Sequence, residues 1–163
     1  MTTADVAGWR SDGARAMQTI AAAGLVAGAL DLAQATFFFG AKIPLVIAGG
    51  LLGTDARQGG AGTYAFGVIL HFFIATSFAA FYYASSRRLT FLVEHPLVCG
   101  LAYGAAVELV MNLIVLPLSA LHAQGPYEWR DLVLGLLVHM VVIGLPIAFT
   151  VRWFTSRHAH HRV

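Results

Sequence analysis

The stretch Leu132–Phe154 reads LVLGLLVHMVVIGLPIAFTVRWF, and between Leu132 and Val151 it contains no Asp, Glu, Lys or Arg. As a helix it would rise about 35 Å at about 1.5 Å per residue, enough to cross a hydrocarbon core of about 30 Å. In lipid every backbone N–H and C=O must be satisfied within the segment, which a helix does and an open strand does not. The stretch is therefore read as a membrane-spanning helix.

Three more blocks have the same character: residues 17–40, 61–84 and 96–117. The chain has 58% hydrophobic and 11% charged residues, against about 25% charged in soluble domains, too few to clothe a water-soluble body. The fold class expected is an all-α membrane protein with four transmembrane helices, forming one membrane domain over residues 1–163. The first block follows Arg10 and Arg15 but is long enough to span. It holds Asp31 and runs into Phe37, Phe38 and Phe39 without a small-residue cleavage pattern, so it is read as a retained helix rather than a signal peptide.

Between the first two spans, Ile43–Gly53 is apolar but too short to cross, which predicts a re-entrant or interfacial helix. Thr54–Gly60 reads as a turn, residues 1–16 as a polar start with an interfacial Trp9, and Ser119–Asp131 as a polar connection containing Gly125 and Pro126. Pro96 suits the first turn of span three, and Gly144 with Pro146 predicts a local kink in span four.

Arg10, Arg15, Arg87, Arg88, Arg152, Arg157 and Arg162 fall on one side of this arrangement, against Lys42, Arg57 and Arg130 on the other. Basic residues near span ends stay inside, so both termini are expected in the cytoplasm, with the protein in the cell inner membrane. Trp129 and Trp153 sit near opposite ends of span four, where interfacial anchors belong. The basic residues are scattered over chain ends and loops without aromatic interleaving, and no nucleic-acid partner is expected. Membrane lipids are the expected surroundings, with a homo-oligomer or a larger membrane complex as the expected assembly.

A weak internal repeat is visible. Gly24, Leu25, Gly28 and Ala29 resemble Gly100, Leu101, Gly104 and Ala105, and Gly67 before His71 resembles Gly135 before His139. Two-span units over residues 17–88 and 96–157 would share one topology, a parallel duplication of a hairpin.

Each span carries one ionisable residue deep inside it: Asp31, His71, Glu108 and His139. A charged group such as Asp at mid-membrane costs about 2.5–3.5 kcal/mol on insertion scales, so such residues turn inward and find partners. Counted from Met17, Ser86, His95 and Phe154, all four lie about 20–22 Å from the proposed cytoplasmic side, so they share one layer. Gly28, Gly67, Gly104 and Gly135 lie about one turn before them, where small residues permit close backbone approach. Gln34, Tyr64 and Asn112 are placed to approach the same interior.

Four chemistries fit these residue types. Two imidazoles with two carboxylates suit a divalent transition metal, Zn, Fe or Mn, although no Glu-x-x-His or His-Glu-x-x-His spacing occurs and only tertiary packing would build the site. Proton- or cation-coupled transport would use Asp31 and Glu108 to exchange protons, and His71 and His139 to relay them, with Asn112 along the path. A membrane redox or hydrolytic enzyme is the third, with metal-activated water or a b-type haem held between His71 and His139. The fourth is a hydrogen-bonded network that only fixes helix register, as in a structural subunit of a larger complex. A joint site requires at least three of the four residues within about 5 Å of one another.

Other features carry bland readings. Cys99 is the single cysteine and reads as an apolar packing residue. Gly59, Gly60 and Gly62 lack the strand and helix of a dinucleotide site, and His158, His160 and His161 read as a basic tail near anionic lipid. Phe72, Phe73, Phe78 and Phe81 are expected to face lipid or fill gaps, and Asp55, Arg57, Glu128, Arg130 and Asp131 to be solvated loop charges.

Overall fold

In the computed structural model the described residues are 3–122 and 128–160, with side chains described for 12–122 and 128–156. Gly125, Pro126 and His161 lie outside them, as do the side chains of Trp9, His158 and His160.

Among the described residues, four helices are long and apolar enough to cross a membrane: α1 (Thr3–Phe39), α3 (Ala61–Ser86), α5 (Pro96–Leu118) and α6, which runs as Trp129–His139, Met140–Gly144 and Leu145–His160. The chain is a multi-pass, four-helix membrane protein. The short apolar α2 (Ile43–Leu52) follows α1, and α4 (Phe91–Glu94) links α3 to α5. The segment read as a turn after α2 contains a 3-10 helix, Thr54–Gln58.

Helix α1 begins at Thr3 rather than near residue 17. Once a helix is nucleated in the apolar block, each residue added at its end contributes a hydrogen bond, so the helix extends back through the polar start. It stops at Gly40, whose φ of +89° suits a residue without Cβ and whose N–H bonds to the Thr36 carbonyl.

Interior and exterior are inverted relative to a soluble bundle. Phe37, Phe38, Phe39, Phe73 and Phe81 are exposed, whereas Ala23, Ala27, Ala79 and Ala148 are fully or almost fully buried. An apolar exterior suits lipid contact, and close helix approach needs small side chains rather than bulky ones. Tyr82, Val107, Ile143, Ile147 and Val151 complete the core.

Helix α1 packs along α3 and α6, and α6 packs along α5, so the packing order is α3, α1, α6, α5. The ends of this order stand apart, leaving an apolar groove of ≈ 460 Å³ between α3 and α5 lined by Phe73, Phe81 and Ala106, among others. Tyr103 bridges that seam, its Oη donating to the Phe78 carbonyl at 2.6 Å while its ring meets Tyr82 edge-on at 4.9 Å. Tyr82 in turn donates to the Leu92 carbonyl at 2.9 Å, tying α3 to α4.

Both α5 and α6 change winding within the membrane. Met111–Val115 and Met140–Gly144 are π-helical, and each is followed by a Leu-Pro pair, Leu116-Pro117 and Leu145-Pro146. A proline offers no N–H to the carbonyl four residues earlier and its ring presses on it; those carbonyls belong to Leu113 and Val142, inside the two π segments. Wider winding accommodates that conflict and keeps the other backbone groups paired. The change in span four thus lies just before Pro146, and a matching one occurs in span three.

Candidate functional site

The four ionisable residues meet two by two across antiparallel helix pairs. On α1 and α3, His71 Nε2 lies 2.8 Å from the Gly28 carbonyl and 4.0 Å from Asp31 Oδ2. A carbonyl only accepts, so Nε2 carries the hydrogen and Nδ1 is the ring atom open to gain or lose a proton. Gly28 makes this approach possible, since a Cβ there would press on Phe72 and Ala75 of α3.

On α5 and α6, His139 Nδ1 lies 2.9 Å from Glu108 Oε2 and 3.0 Å from the Gly135 carbonyl one turn back in its own helix. Nδ1 is therefore the protonated atom, shared between two acceptors, and Nε2 is the free ring position. The pair depends on two glycines. Gly104 lets α5 touch the backbone of His139 and Met140, and Gly135 leaves the volume that Glu108 Oε1 fills.

Both pairs are largely buried. The side chains are 11% exposed for His71, 17% for Asp31, 22% for His139 and 8% for Glu108. Helix α1, which carries Asp31, also contacts the π segment Met140–Gly144, which starts at the residue after His139. Among the described residues, no three His, Cys, Asp or Glu side chains form a group that could hold a metal ion.

Of the other expected interior residues, Asn112 Nδ2 donates to the backbone carbonyl of Glu108 at 3.0 Å. Tyr64 is exposed, so its side chain does not join the interior, and Gln34 is half-buried. Cys99 is half-buried, its Sγ 3.6 Å from the Phe91 carbonyl. Asp55, Arg57, Glu128, Arg130 and Asp131 are all exposed. Tyr82 and Tyr103 escaped the reading of the sequence because their acceptors are backbone carbonyls, which leave no residue-type signature. The π segments do have one, the Leu-Pro step.

The chain matches no family model, no curated protein and no solved structure. Its function rests on this arrangement alone.

Proposed function

We propose that the protein moves protons within the membrane, coupling their exchange to passage of a small cation or solute. The observation that carries this reading is the 2.9 Å contact between His139 Nδ1 and Glu108 Oε2, buried between membrane-spanning helices. Asp31 and Glu108 exchange protons, while His71 through Nδ1 and His139 through Nε2 accept and release them. Pairing each carboxylate with an imidazole lets a proton pass inside the pair without leaving an isolated charge in low dielectric. The neighbouring π segments support the reading, since such irregular turns are frequent at functional sites.

Zn, Fe or Mn ligation by the same four residues is a weaker reading. It needs the pairs to close into one donor set, and their two-by-two arrangement favours proton exchange. We further propose that residues 17–88 and 96–157 are duplicated hairpins, each supplying a carboxylate from its first span and a histidine from its second. A carboxylate–histidine pair between the two spans of each unit, on glycine-lined contacts, supports it. In this reading α2 is re-entrant, both termini are cytoplasmic in the inner membrane, and a homo-oligomer or larger complex completes the pathway, because four spans leave little room for one in a monomer.

The test is reconstitution into vesicles holding a pH-sensitive dye, with an imposed membrane potential and, separately, gradients of monovalent cations. Wild-type protein should raise proton entry on the order of tenfold or more over protein-free vesicles, and Glu108→Gln should abolish the gain with assembly intact. Wild-type entry equal to that of empty vesicles under every gradient, or full activity of Glu108→Gln, overturns the assignment.

A further inference from the structure

A second groove, ≈ 810 Å³ in volume, lies between α1 and α6 at the end where α6 carries Arg152. Its lining changes character along the helix axis. Val26 of α1 and Phe149 of α6 form the part nearer mid-membrane, and Arg152, Trp153 and Ser156 form the part nearer the end of span four. From Phe149 to Ser156 the helix rises about 10 Å, roughly the depth over which a membrane passes from acyl chain to headgroup.

Arg152 is held in place but is not neutralised. Its Nη1 donates to the backbone carbonyls of Glu94 at 2.9 Å and Val93 at 3.3 Å, closing the end of α4. These bonds use one nitrogen of a guanidinium that has five N–H donors, and the ion pairs among the described residues do not include Arg152. Arg87 and Arg88, exposed at the end of α3 just before α4, add positive charge at the same end. A fixed, planar, unpaired cation above an apolar cleft suits a phosphate diester whose chains run into the membrane.

We propose that this groove binds an anionic phospholipid, with an acyl chain against Val26 and Phe149 and the phosphate at Arg152 beside Ser156. The site is separate from the carboxylate–histidine pairs and does not depend on the function assigned to them.

Native mass spectrometry of the full chain in mild detergent tests it, with phosphatidylglycerol or phosphatidylcholine of identical chains added. Wild-type protein should retain phosphatidylglycerol at least about fivefold better, a difference of roughly 1 kcal/mol. Arg152→Gln should erase that preference and Arg152→Lys should keep most of it. Because Arg152 also closes α4, Val26→Trp serves as a second variant: it fills the acyl part from a half-exposed position and should lower retention of both lipids. Equal retention of the two lipids by wild-type protein, a preference surviving in Arg152→Gln, or undiminished retention by Val26→Trp would each overturn the proposal.

Discussion

Replacing Gly135 with alanine should break the Glu108–His139 pair without touching either residue. A Cβ at position 135 would fall inside the contact distance of Glu108 Oε1, with the carboxyl carbon directly behind it, so the carboxylate must turn or retreat. The 2.9 Å contact to His139 then lengthens beyond hydrogen-bonding range. Losing a hydrogen bond to a charged group costs about 1.5–3 kcal/mol, while glycine to alanine within a helix returns about 0.8–1 kcal/mol. The net cost in wild-type protein is therefore about 0.5–2 kcal/mol. In a Glu108→Ala background no carboxylate stands in the way, and Gly135→Ala should stabilise by the helix term alone. The double-mutant cycle should thus give a coupling of about 1.5–3 kcal/mol, a factor of about 10 to 150 in the unfolding equilibrium. Equilibrium unfolding in mixed micelles, followed by far-ultraviolet circular dichroism, measures all four corners. A coupling below about 0.5 kcal/mol would show that Gly135 makes no room for Glu108, and the account of the pair would fail.

Three further outcomes are expected. Gly104→Ala places a methyl against the backbone of His139 and Met140, which cannot yield as a side chain can, so it should destabilise by about 1–3 kcal/mol in the same assay; a neutral result would mean α5 and α6 are not in backbone contact. Tyr103→Phe removes the 2.6 Å bond to the Phe78 carbonyl and should cost about 0.6 kcal/mol, at most about 1.7, with helicity unchanged. Tag-free protein incubated with Zn, Fe or Mn and then desalted should hold these metals well below one per chain; one metal per chain, lost in His71→Ala, would instead show that the two pairs close into a single donor set.

Whether a residue could be placed from sequence followed from the range of the force that places it. Hydrophobic length is local, so the four spans were legible to within a few residues, except that α1 extends back to Thr3 by propagation of a helix already nucleated in the apolar block. That Asp31, His71, Glu108 and His139 lie deep within their spans was legible for the same reason, since rise along a helix depends only on counting, and all four side chains are largely buried. The irregular winding before Pro117 and Pro146 was also within reach, because a proline acts on a carbonyl in its own helix. Tyr64 shows the limit: its place on the helix was known, but the direction it faces depends on what packs beside α3, and it points outward.

By itself, then, the sequence determined that this is a four-span helical membrane protein with one ionisable group inside each span, because length, charge scarcity and position along a helix are properties of single segments. Only the tertiary structure decided that Asp31 pairs with His71 and Glu108 with His139. That choice depends on which glycines bring which backbones together, at Gly28 against α3 and at Gly104 and Gly135 between α5 and α6. Contacts of this kind join residues tens of positions apart, and no pattern within one helix encodes them.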